Sequence, residues 1–380
     1  MPSAFHTLAA VNHPLIESPA IDGFKNFVNH YSVPKISLPF FFLPLFLLMF
    51  LLYRKWTRPV IAITLLSLFS LVYFGSMLID VNYLEIIKKP DNVPITIMVF
   101  GTLFCLWISL RQAAINDERI LAGKPLIEAG KDDKVLVWPD LVYTELICLI
   151  IGSIILVVWS ILLRAPLEAP ANPAGPPNPS KAPWYFLGLQ EMLVYFDPWM
   201  AGVVLPGMII TGLIAMPYID TNPKGNGYFT LRERKFSIIV WLFGFLILWV
   251  VLIVFGTFLR GPNWNFFGPY QPWDANMQVP LTNWNLSDFF WIKLLGKPLP
   301  SNPIEREIVG ILFVTFWLFV LPVILAKTLM HRLFLQLGTF RYTIMIIHFV
   351  VMAIMPLKMV LRWLFTLKYF IYLPEFNLNL

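Results

Sequence analysis

Residues 138–196 read "WPDLVYTELICLIIGSIILVVWSILLRAPLEAPANPAGPPNPSKAPWYFLGLQEMLVYF". The run from Val142 to Leu163 is almost wholly apolar and long enough to cross a bilayer as a helix, which needs about 20 residues. Residues 165–183 are packed with Pro, Ala, Gly and Asn. Proline lacks the amide hydrogen and clashes with the preceding turn, so this stretch cannot be a regular helix over its length. Proline then stops: residues 184–196 contain none and can be helical. The order is a span, a proline-rich connection, and a short surface helix at 183–196 that opens with Trp184, Tyr185 and Phe186.

Composition extends this reading to the whole chain. Of 380 residues, 58% are hydrophobic and 13% charged, against about 25% charged in soluble domains. The fold class is therefore all-α, a polytopic membrane helix bundle. Eight spans are expected, at 37–53, 59–80, 94–110, 140–163, 200–219, 236–259, 307–327 and 342–356. The stretch after Pro356, "LKMVLRWLFTLKYF", alternates bulky apolar and basic residues. It reads as an amphipathic interfacial helix or as the end of a long tilted span. The 33 Phe, 14 Trp and 13 Tyr suit aromatic belts at both interfaces.

Loops on one side, at 54–58, 111–134, 224–235 and 327–341, hold 15 of the 28 Lys and Arg. Positive loops stay on the cytoplasmic (n) side, which puts 165–199 on the periplasmic (p) side. The net charge of +6 belongs to this bias and not to nucleic-acid binding. Cys105 and Cys148 lie inside apolar runs and offer no disulfide framework, haem-attachment motif or zinc pattern. The first 37 residues have no early apolar core, so no cleavable leader is expected and the first span would serve for insertion. The loop 260–305, with "RGPNWNFFGPYQPWD" and "LTNWNLSDFFWIK", suits a partner surface or the headgroup layer.

A short helix lying on the membrane surface behind a proline connection makes a roofed pocket. Within it, Tyr185, Leu189 and Met192 share one face, and Trp184, Gly188, Glu191 and Tyr195 the neighbouring one. Burial penalises a charged carboxylate, so an acid at the pocket's edge can take a proton from a substrate hydroxyl near neutral pH. A quinol fits such a site, because it is apolar, stacks on aromatic rings and loses protons as it loses electrons. Glu191 is the candidate proton acceptor and Asp197 the runner-up; Pro183, Trp184, Tyr185, Phe186 and Gln190 are the candidate quinone-binding residues. The bland alternatives are that Glu191 reaches out to water or pairs with Lys181, and that Trp184 and Tyr185 are interface anchors.

The stretch 138–196 resembles the C-terminal half of cytochrome b, which has an acidic–basic pair and a Trp-Pro turn, a helix, an Ala-Asn-Pro loop, and then a Pro-Glu-Trp-Tyr motif. The counterparts are Trp138-Pro139, the "PANP" at 170–173 and Trp184-Tyr185. "DPWMAGVVLPGMIITGLIAMPYID" and "NPKGNGYFTLRERK" look like the next helix and its n-side turn. The split arrangement most like it is subunit IV of the cytochrome bf complexes, but this chain is longer at both ends. The division is an N-terminal extension with three spans (1–130), a cytochrome b C-terminal-like part (131–330), and an extra helix and tail (331–380). The family's Pro-Glu is replaced by Ala182-Pro183, and Glu191 stands about two turns further on.

What the resemblance implies is a membrane subunit of a quinol:cytochrome c, or other acceptor, oxidoreductase complex. Quinol would be oxidised on the p side, with proton release there. Asp133 and Lys134 match the acidic–basic pair near the family's n-side quinone site, although such residues are more often ordinary solvated loop charges. The family holds two b haems with histidine pairs on two helices; His6, His13, His30, His331 and His348 do not make that pattern. The b haems and a Rieske iron–sulfur cluster are therefore expected on partner subunits: a haem-bearing cytochrome b N-terminal-half subunit, a Rieske protein and a c-type cytochrome, in a dimeric complex. No metal ligand is expected on this chain, and His348 reads as a packed or hydrogen-bonded histidine. The expected location is an energy-transducing membrane, the inner membrane of a bacterium. Two other classes stay open: a scaffold subunit with a degenerate quinol site, and a secondary transporter, which predicts internal repeats and charged or broken helices at mid-membrane.

Overall fold

The structure is a computed structural model that describes residues 18–130, 135–162, 170–221, 228–280 and 282–380. It is an all-α bundle with eight helices long and apolar enough to cross a membrane. They are α2 (Pro34–Leu51), α3 (Pro59–Ile79), α4 (Pro90–Leu121), α5 (Val137–Leu162), α7 (Met200–Ile219), α8 (Leu231–Leu259), α9 (Ile308–Lys327) and α10 (His331–Phe365). An amphipathic helix α1 (Pro19–Ser32) precedes them, and the short helix α6 (Leu187–Met192) comes between α5 and α7 in chain order. The eight expected spans are all present.

Where the boundaries differ, side-chain partners account for it. Helix α4 runs eleven residues past its expected end at 110 because its polar end finds partners. Asn116 and Asp117, both fully buried, accept from the Ile127 amide at 3.1 Å and from the Tyr53 hydroxyl at 2.7 Å. Asp117 also accepts from the Arg232 amide at 3.2 Å, at the start of α8. Helix α10 starts at His331, kinks at Gly338, and passes through Pro356 to Phe365. Burial of Met355, Lys358 and Met359 outweighs the hydrogen bond that proline removes. Residues 357–365 are thus the end of a long helix, the second of the two readings offered by the sequence. The surface helix is shorter than expected: a 3₁₀ turn Trp184–Phe186 leads into α6, and turns follow from Leu193.

The chain forms two compact units. In the first (1–21, 47–180 and 226–239), α3 and α4 are joined by the Tyr73 hydroxyl and Thr96 at 2.7 Å and by stacked Phe74 and Phe100 rings. Burial leads the causes that raise the Tyr53 hydroxyl above its ordinary pKa, followed by its bond to Asp117. No described residue of α5 is buried.

In the second unit (22–46, 181–225 and 240–380), the core runs along α8, where Leu252 and Ile253 are fully buried. Helices α9 and α10 pack through Ala326, Tyr342, Ile346 and Val350, with the Trp317 indole donating to the Val350 carbonyl at 2.9 Å. After α10, Thr366 adopts a left-handed conformation and the tail turns back. It pairs with residues 284–286 through Lys368 N to Trp284 O at 2.8 Å and Leu286 N to Tyr369 O at 2.9 Å. The tail closes on itself with the short strands β1 (Tyr372–Leu373) and β2 (Leu378–Asn379). Glu307, almost wholly buried, accepts from the Tyr372 amide at 3.0 Å and holds the tail to the start of α9.

Candidate functional site

Two glycines lie at the contact between α6 and α8. A side chain at Gly188 would come to 3.4 Å from Ile253, and one at Gly256 to 3.4 Å from the Leu187 carbonyl. A Cβ at either point would just reach contact, so a larger side chain would press on the neighbouring helix. The buried face of α6 is Leu187, Gly188, Glu191 and Met192, and Tyr195 and Phe196 follow it inward. The Gly188–Glu191–Tyr195 face therefore packs inward, and Tyr185 stays outside.

Glu191 is fully buried, and its partner is Arg260, which is 5% exposed at the end of α8. The guanidinium donates to both carboxylate oxygens: Nε to Oε2 at 2.9 Å and Nη2 to Oε1 at 2.6 Å. The fork matches the carboxylate in a way that an ammonium cannot. The loop after α8 is built around this guanidinium. Arg260 and Phe266 form a bridge, the Phe266 ring lies 3.5 Å from the guanidinium carbon, and the Trp264 carbonyl accepts from Nη1. Asn263 and Trp264 both take positive φ (57° and 58°), which bends the loop back over the arginine. A carboxylate left unpaired at this depth would cost several kcal/mol.

Lys181 does not pair with Glu191 as the bland reading allowed. Its ammonium donates to the Thr257 carbonyl at 2.8 Å and lies 5.1 Å from the Trp273 ring. Gln190 accepts from the Ala182 amide at 2.8 Å, which fixes the chain just before Pro183. The result is a rigid mount for the aromatic turn, with Tyr185 and Phe186 about half exposed and Trp184 edge-on to Tyr185. Pro183 is exposed beside them. The structure thus brings Pro183, Trp184, Tyr185, Phe186, Gln190 and Glu191 into one segment, with the aromatic groups outward and the carboxylate inward.

Asp197 belongs to a different set of contacts. It accepts from the Tyr369 hydroxyl at 2.6 Å and the Asn379 side chain at 3.1 Å. Burial and that bond to Asp197 push the Tyr369 hydroxyl above its ordinary pKa. Beside it, fully buried Lys358 points its ammonium at the Phe370, Phe196 and Tyr369 rings, 4.5, 5.1 and 5.8 Å away. Its nitrogen has no hydrogen-bond partner among the described residues. Asp133 and Lys134 lie outside the described residues, as do His6 and His13.

The sequence reading missed Arg260 and Lys358. The signal for Arg260 was present: it is a lone arginine between an apolar span and an aromatic, glycine-rich loop, where a charge needs a buried partner. Nothing near Lys358 in sequence marks it as different from the other tail lysines.

Two of the described histidines have hydrogen-bond partners within the fold. His348 bonds to the Ile344 carbonyl at 2.7 Å and to Thr211 at 3.0 Å, and the His331 ring sits 3.2 Å from the Ala326 carbonyl. Among the described residues no three His, Cys, Asp or Glu side chains gather as a metal site.

Residues 170–270 match the family model described as cytochrome b (C-terminal)/b6/petD. The match spans the proline connection, α6, α7, α8 and the Arg260 loop. It supports a cytochrome b C-terminal-type subunit of a redox complex in an energy-transducing membrane. No solved structure matches the chain.

Proposed function

We propose that this chain is the non-haem membrane subunit of a quinol-oxidising complex, and that its aromatic turn 183–186 forms one wall of the p-side quinol pocket. The observation that carries this reading is the Glu191–Arg260 pair, which holds α6 rigidly while Tyr185 and Phe186 remain exposed for a ring to stack on. It lies within the segment that matches the cytochrome b C-terminal family.

The redox chemistry belongs to the quinol, the haems and the iron–sulfur cluster; the protein supplies binding and orientation. Oxidation of one quinol to quinone releases two electrons and two protons. The electrons go to a Rieske protein and to b haems on partner subunits, and the protons to the p side. In the described state Glu191 acts as a positioning residue, since Arg260 occupies both of its oxygens and none of it is exposed. A general base must be within hydrogen-bond reach of the proton that it takes, so Glu191 accepts a proton only in a state that opens its buried carboxylate to the substrate. Asp197, with its partners on the C-terminal tail, remains the second candidate.

A second reading is favoured by one observation: Ala182-Pro183 stands where the family has Pro-Glu, and the nearest carboxylate is committed to an arginine. A scaffold subunit with a degenerate quinol site would look the same. The purified complex separates them. Tyr185→Ala with Phe186→Ala should raise the KM for quinol several-fold with little change in kcat, because stacking is lost from bound quinol. Unchanged kinetics, together with no effect of a p-side quinol-site inhibitor on haem b reduction, would leave the scaffold reading.

A further inference from the structure

Helix α1 has an arrangement that the polar appearance of the N-terminal sequence did not suggest. Its sequence is "PAIDGFKNFVNHYS". Ile21, Lys25, Val28 and Asn29 are half-buried. Asn29 accepts from the Tyr270 amide at 3.0 Å, and the Phe24 ring lies 6.0 Å from the Tyr270 ring. These contacts fasten α1 to the loop after α8. The adjoining face carries Ala20, Phe24, Phe27 and Tyr31, which helical spacing sets in one row. Phe24 is 41% exposed, Phe27 60% and Tyr31 49%. Asp22, Asn26 and His30 lie off this row and are also exposed.

What covers the row follows from how α1 is connected. A single residue, Val33, separates it from Pro34, the first residue of the spanning helix α2. Phe40 and Phe41, less than two turns further along, are themselves exposed on that span. The end of α1 therefore sits where a span leaves the bilayer. Lys35, at the same junction, is exposed and suits a lipid phosphate. Aromatic side chains favour this depth because the rings are apolar while their edges and hydroxyls tolerate headgroups. A helix with an apolar row and a polar opposite face lies in the plane of the membrane.

We propose that α1 is an interfacial helix that lays the Phe24–Phe27–Tyr31 row into the boundary between lipid headgroups and acyl chains. It thereby ties the loop after α8 to the membrane surface beside the first span. The partner is lipid, and the row is not a protein docking face.

Nitroxide scanning tests this. Cys105 and Cys148 are replaced by alanine, and single cysteines are placed at Phe27, Tyr31 and Asn26. The full chain, with the subunits that co-purify, is placed in nanodiscs of phosphatidylcholine and phosphatidylglycerol. Labels at Phe27→Cys and Tyr31→Cys should collide several-fold more with oxygen than with a water-soluble nickel chelate, and the label at Asn26→Cys should show the reverse. Nickel access at all three positions would place the row in water and overturn the proposal. Exclusion of both reagents from positions 27 and 31 would mean that protein covers the row, and would overturn it equally. The cysteines replace exposed side chains, and the helical content of each variant confirms folding before labels are read.

Discussion

Helices α5 and α8 are similar as sequences and opposite as packed objects. Both are long apolar runs of the kind that spans a bilayer. No described residue of α5 is buried, whereas seven residues of α8 between Ile247 and Phe255 are. Hydrophobicity all round a helix places it in a membrane or a core without distinguishing the two. The difference lies in small residues and in what meets them. Gly256 of α8 lies against α6, while Gly152 of α5 has nothing within 4 Å of where a side chain would begin. α8 also ends in an arginine with a buried partner. α5 leaves most of its described side chains exposed.

Six substitutions would break or sharpen this contrast and the contacts around it. The largest effect is expected from Glu191→Ala, which leaves Arg260 buried without its carboxylate. Removing one partner of such a pair costs about 3–5 kcal/mol, seen as a marked fall in the melting temperature of the detergent-solubilised complex. Arg260→Lys should be nearly as damaging, because an ammonium cannot reproduce the fork. A wild-type melting temperature in both would show that the pair does not hold α6 to α8.

Next come the two glycines. Gly256→Leu should cost about 1–3 kcal/mol by overpacking against Leu187. Gly152→Leu should stay within about 0.5 kcal/mol of wild type, as exposed substitutions do. Equal losses would mean that α5 is packed as tightly as α8 within the complex. Lys358→Met should be neutral or stabilising by about 1 kcal/mol, since it removes a buried amine without a hydrogen-bond partner among the described residues and keeps the volume. A loss of stability there would show that the aromatic cage needs the amine.

The smallest effect concerns the tail. The hydrogen bond from Arg306 to Glu375 leads the causes that lower the Glu375 pKa from its ordinary value of 4.5. A depressed carboxylate contributes stability at higher pH that is lost as pH falls through the folded-state value. Protection factors of the tail amides, corrected for the intrinsic rate at each pH, should therefore fall below pH 4.5, and Glu375→Gln should remove that loss. The pair is exposed, so the change will be slight.

The sequence by itself determined the class and the count of spans. Eight apolar runs of bilayer length in a chain with only 13% charged residues point to a membrane bundle. It also determined that a non-helical connection precedes an aromatic surface helix, because proline forbids the alternative. The eight spans and the turn at Trp184 were legible on those grounds. So was the resemblance that residues 170–270 bear out. Other features needed distance in space. Glu191 finds its arginine 69 positions later, and no local pattern distinguishes a carboxylate that will be paired from one that will face substrate. Asp117 and Asn116 extend α4 only because Tyr53, Ile127 and Arg232 arrive from elsewhere in the chain. Helix α10 crosses Pro356 because the burial around it exceeds the cost of a missing hydrogen bond. Hydrophobicity is a property of each residue and sums along the chain. Satisfaction of a buried charge or amide is a property of pairs, and only the tertiary structure decides which pairs meet.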